Sequence, residues 1–166
     1  MSHAGSAFLA SCFLWQWLRA REKTGRPLVS WALLGGIGGL LCLVRYQDGL
    51  FLALPILDLS GLAVAAYVIP AAGVISVQLF VNAVLYGSVW HTGYPVDASV
   101  HVLPVAIVAN LFGGWTGLLT ASPVVAPALV GLGLFARRSG SLGWPLMALF
   151  GIQLYVISSW EGAYPG

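Results

Sequence analysis

The sequence predicts an all-α fold: a polytopic transmembrane helical bundle of about six spans plus one re-entrant or interfacial element, read as a single domain over residues 1–166. Three observations carry this. Hydrophobic residues make up 59% of the chain and charged residues only 7%, where a soluble domain carries roughly 25% charged. Mean hydropathy is +0.91, and the apolar runs are broken only by short polar knots. Net charge is +2 with no concentrated basic face, which disfavours a nucleic-acid partner because phosphates need such a face, and none is expected. The apolar content excludes disorder. Cys12 and Cys42 each sit inside an apolar run and read better as small buried hydrophobes than as a disulfide or metal site.

A bilayer core of about 30 Å takes about 20 apolar helical residues, fewer when the flanks snorkel. The first expected span is 4–18, with Trp15 and Trp17 as interface anchors. Arg19, Arg21, Lys23 and Arg26 follow with one acid, Glu22. Such a cluster marks the cytoplasmic side, and because it follows the apolar run, a signal peptide is a poor description. The second span is 27–44, with Pro27 where a first turn tolerates proline. Gly35 and Gly39 form a GxxxG face that suits either close helix packing or mere tolerance. This span stops at Arg45-Tyr46-Gln47-Asp48, expected at the outer surface.

Residues 49–86 hold one charge, Asp58, and as one helix would run roughly 57 Å. Two short spans are expected, 49–66 and 70–86, turning near Pro70; a turn at Asp58-Leu59-Ser60-Gly61 is the alternative and would put Asp58 at the cytoplasmic interface. Residues 87–103 read as an exterior loop with His91, Tyr94, Asp97 and His101. Glycines and polar residues interrupt 104–120, the re-entrant or interfacial element. A span over 122–136 then leaves Arg137-Arg138 cytoplasmic, as the charge rule prefers, and the last span is 144–160.

Charged groups near spans are costly and usually functional. Arg45 and Asp48, with Gln47 between them, read either as a headgroup-binding strip or as a snorkelling pair. Asp58 reads as an interfacial turn cap more readily than as a proton relay. His91, His101 and Asp97 match no metal spacing, so no divalent metal is expected, and no nucleotide, hydrolase or metalloprotease motif is present.

Several strings resemble GT-C-type membrane glycosyltransferases, the polyprenyl-phosphate-sugar-dependent enzymes that include protein mannosyltransferases and the aminoarabinose transferase. They are Ser2-His3-Ala4 before the first span; the Gly35–Gly39 run closing in Leu43-Val44-Arg45-Tyr46-Gln47-Asp48; Asn82 with Leu85-Tyr86-Gly87-Ser88 and Gly93-Tyr94; Leu111-Phe112 with Gly117-Leu118-Leu119-Thr120 and Ser122-Pro123; Arg137-Arg138; and Ser158-Ser159-Trp160. The resemblance covers nearly the whole chain in order. It implies a lipid-linked sugar donor, no resident cofactor, and a lipid-phosphate site drawn from His3, Arg45, Gln47, Asp48, His91 and Tyr94. That family is several times longer and carries its catalytic acid in an exterior loop between its first two helices. Here no Asp or Glu precedes Glu22, so the resemblance implies the middle of such an enzyme, without catalytic residues and inactive alone.

The leading expectation is therefore an integral membrane module of the bacterial inner or plasma membrane, with 19–26 and 137–138 cytoplasmic. Its partners would be membrane lipids and the remaining parts of the same enzyme. The rival, of a different class, is a small non-catalytic accessory subunit of a larger membrane complex. A transporter or channel is disfavoured, since only Asp58 is placed to lie within a bilayer.

Overall fold

The computed structural model describes residues 2–22, 27–90, 107–113 and 117–159, and these are helical with no strand among them. The chain divides into two compact units, Met1–Gly93 and Tyr94–Gly166.

In the first unit, α1 spans Ser2–Glu22, α2 Leu28–Val44 and α3 Leu62–Tyr86, and a 3₁₀ segment, Tyr46–Asp58, lies between α2 and α3. Helix α1 runs further than the expected span, so Arg19 and Arg21 sit in its last turn and not in a loop. Cations there face the negative end of the helix dipole. Helix α2 starts just after Pro27, whose φ of −60° and ψ of 135° set the extended entry. It ends where Arg45 turns to φ −151° and gives its N–H to Leu41 O at 3.1 Å.

The expected turn near Pro70 does not occur. Helix α3 runs through Pro70, and the chain reverses at 59–61, the alternative turn. Gly61, at φ 54°, takes a positive-φ conformation that other residues resist. A proline inside a helix forfeits one backbone bond but does not force a reversal. The stretch expected to open a span at 49 is instead 3₁₀ over 13 residues, far longer than is usual. At about 2.0 Å per residue it covers roughly 26 Å, so a short peptide reaches from one end of α1 to the other.

Two glycines of the GxxxG face are packing sites. A Cβ on Gly35 would fall on the Tyr67 carbonyl, and one on Gly39 would stand 3.0 Å from Ala71 O and 2.8 Å from Val74 Cβ. The pairings 35 with 67 and 39 with 71 advance together, so α2 and α3 run parallel, joined by the returning 3₁₀ segment. On its other side that segment meets α1, where the Phe13 and Phe51 rings stand edge to face with centroids 6.2 Å apart. Phe13, Trp17, Trp31, Leu34 and Leu41 form the core of this unit.

In the second unit, α4 is Ile107–Phe112, α5 Leu118–Ala121, α6 Val125–Arg138 and α7 Gly140–Ser158. Helices α4 and α5, of 6 and 4 residues, are too short to cross a bilayer. The 14 residues of α6 reach about 21 Å, and Arg137 and Arg138 form its last turn. Gly143 lets α7 fold back on α6: a Cβ there would stand 2.6 Å from Ala136 N.

Six spans are expected; among the described residues two helices, α3 and α7, are long and apolar enough to cross a membrane, and α2 is a shorter apolar helix.

Candidate functional site

The polar side chains of the first unit gather at its two ends. At one end, Arg45, Tyr46, Gln47 and Asp48 follow one another as α2 gives way to the 3₁₀ segment. Arg45 donates from Nη2 to Gln47 Oε1 at 3.3 Å. Asp48 is buried, and its Oδ2 accepts the hydroxyl proton of Ser6 from α1. Asp48 is thus held by α1, while Arg45 bonds Gln47 within the strip. Tyr46 reaches α3, where Asn82 Nδ2 donates to its hydroxyl at 3.4 Å and to Val89 O at 3.3 Å. Asn82 is 2% exposed, and its own carbonyl takes the Gln78 amide at 2.8 Å. Within this strip Tyr46 is thus tied to α3 and Asp48 to α1. A guanidinium and a primary amide on such a fixed strip can donate together to an oxyanion, because guanidinium edges present paired N–H groups.

At the other end, Asp58 closes the 3₁₀ segment. Its Oδ2 accepts the Trp17 indole N–H at 2.9 Å and lies 3.5 Å from Arg21 Nε. The Arg21 guanidinium stands 5.3 Å over the Trp17 ring, and Arg19 stands 4.8 Å over Trp15. Asp58 therefore belongs to the end of the unit that carries Arg19 and Arg21. Ser6 pairs with Asp48 and Trp17 with Asp58, so α1 and the 3₁₀ segment run side by side in the same direction, pinned at both ends.

The second unit holds one buried polar pair of note, Asn110 Nδ2 to Ser158 Oγ at 3.1 Å. Thr120 Oγ1 donates to Gly113 O at 2.7 Å, holding α5 on the break after α4.

Of the residues expected at a lipid-phosphate site, Arg45, Gln47 and Asp48 come together. His91 and Tyr94 lie outside the described residues, as do Asp97 and His101, and for His3 only the helical backbone is described. Among the described residues no group of three His, Cys, Asp or Glu side chains could hold a metal ion. Ser6, Tyr46 and Gln78 were not singled out from the sequence. The one available signal was the spacing of Gln78 and Asn82, four apart on one helical face. Compared with family models, curated proteins and solved structures, the chain matches none.

Proposed function

We propose that this chain is a membrane module of the GT-C glycosyltransferase type that holds the phosphate of a polyprenyl-linked sugar at the end bearing Arg45, Gln47 and Asp48. The reading rests first on the ordered motifs from Gly35 to Ser159. One structural observation carries it further: Arg45 and Gln47 stand at the opposite end of their unit from Arg19 and Arg21. If the Arg19–Arg26 cluster is cytoplasmic, as basic flanks usually are, the Arg45 strip faces the exterior, where a lipid-linked sugar of this class is used. In this arrangement α1, α2, the 3₁₀ segment and α3 each cross, the short ones within a locally thinned bilayer.

The strip supplies phosphate donors and no positioned base. Asp48 is taken up by Ser6, and hydroxyl acceptors need general-base help. The module then binds its lipid without transferring the sugar. Binding of polyprenyl phosphate by the purified chain, compared between wild type and Arg45→Lys, tests this. Equal binding of polyprenyl phosphate and polyprenol would support an accessory subunit without a lipid-phosphate site.

A further inference from the structure

The two Arg-on-Trp stacks at the end of α1 are not equivalent. Trp17 is 1% exposed and Arg21 is committed to Asp58, so that stack is part of the fold. Trp15 is 58% exposed, and among the described residues Arg19, which stands over it, has no carboxylate partner. A guanidinium held over an indole face still has N–H groups with which to donate to a phosphate. The stack also fixes the side chain in advance, which lowers the entropy lost on binding. On the same face of α1, Phe8 and Leu18 are exposed with Trp15, giving an apolar stripe that leads to the cation. Lys23 and Arg26 follow in sequence.

We infer that Trp15 and Arg19 form a binding site for the phosphodiester headgroup of an anionic phospholipid, with an acyl chain lying along Phe8, Trp15 and Leu18. The apolar stripe selects a lipid over free phosphate, since an inorganic anion leaves that surface unused. This site rests on the membrane placement proposed above but not on the sugar-lipid reading, because it lies at the other end of the unit.

The test is retention of phosphatidylglycerol against phosphatidylcholine by the full-length chain, purified in detergent and weighed intact with its bound lipids. Wild type should retain phosphatidylglycerol in excess. Arg19→Gln should cut that excess about fivefold, the factor one basic residue contributes near an anionic surface. Trp15→Leu should reduce it too, since the apolar surface stays and the stacking face goes. Millimolar inorganic phosphate should leave the excess unchanged. Equal retention of the two lipids by wild type, an unchanged excess in Arg19→Gln, or displacement by inorganic phosphate would each overturn the assignment. Both variants should melt at the wild-type temperature, which separates loss of the site from loss of the fold. Polyprenyl phosphate is absent from the assay, so failure here is distinct from failure at Arg45.

Discussion

The Tyr67 hydroxyl donates to the carbonyl of Leu52 at 2.9 Å, and Leu52 is the residue whose 3₁₀ partner would be Pro55. In a 3₁₀ helix each carbonyl takes the N–H three residues on, and proline has none. Tyr67, 4% exposed, supplies the missing donor from α3. It is close enough because Gly35 lets the α3 backbone rest directly on α2 at Tyr67. The glycine face, the tyrosine and the proline are thus one device that supports the 3₁₀ segment carrying Asp48 and Asp58.

Tyr67→Phe removes only the hydroxyl and leaves Leu52 O without its donor. A buried polar group stripped of its partner costs about 1–3 kcal/mol. Thermal unfolding in detergent should show a loss in that range, with helical content retained at low temperature.

Gly35→Ala should destabilise by about 1–3 kcal/mol through backbone displacement, since its Cβ would overlap the Tyr67 carbonyl. Gly36→Ala meets nothing within 4 Å and should stay within about 0.5 kcal/mol of wild type. The same melting experiment separates the two, and similar losses at both positions would contradict the packing assigned to Gly35.

Ser6→Ala leaves the buried Asp48 carboxylate without its hydroxyl donor. Uncompensated buried charge is strongly destabilising, while apolar replacement of both partners is often neutral. Ser6→Ala alone should therefore lower the melting temperature, and adding Asp48→Leu should restore most of it. A double variant less stable than Ser6→Ala would show that Asp48 has a further structural role.

The proposed topology puts the basic clusters at 19–26 and 137–138 on the cytoplasmic side by the charge rule. With Cys12 and Cys42 replaced by alanine, single cysteines at Thr24, Thr92 and Ser139 report sidedness to an impermeant thiol reagent. Thr24→Cys and Ser139→Cys should be protected in intact cells, and Thr92→Cys should be labelled. Exterior labelling at Ser139→Cys would mean that 104–120 crosses fully.

Much of the helical plan was legible in the sequence, for identifiable reasons. Pro27 and Arg45 bracket α2 within a residue, because proline suits the entry to a helix and the polar knot ends the apolar run. Gly35 and Gly39 were visible as a face, though only the distances to Tyr67 and Ala71 distinguish packing from tolerance. Both Pro70 and the 58–61 stretch are readable as turns in the sequence, and only the positive φ of Gly61 shows which of them reverses the chain. The 3₁₀ segment was not legible, since an uninterrupted apolar stretch shows no periodicity to separate three residues per turn from 3.6. Arg45, Gln47 and Asp48 stand out in the sequence because charge at the end of an apolar run is conspicuous. Ser6 was missed because one hydroxyl inside an apolar helix gives no sign of a partner so distant in sequence.

Polyprenyl-phosphate binding by the Arg45→Lys variant tests the proposed function most directly. A lysine keeps the charge but loses the planar pair of donors. Wild type should bind polyprenyl phosphate and not polyprenol, and Arg45→Lys should bind about tenfold more weakly, roughly 1.4 kcal/mol, with an unchanged melting temperature. Equal binding by wild type and Arg45→Lys, or no preference of wild type for the phosphate, would contradict the proposed function.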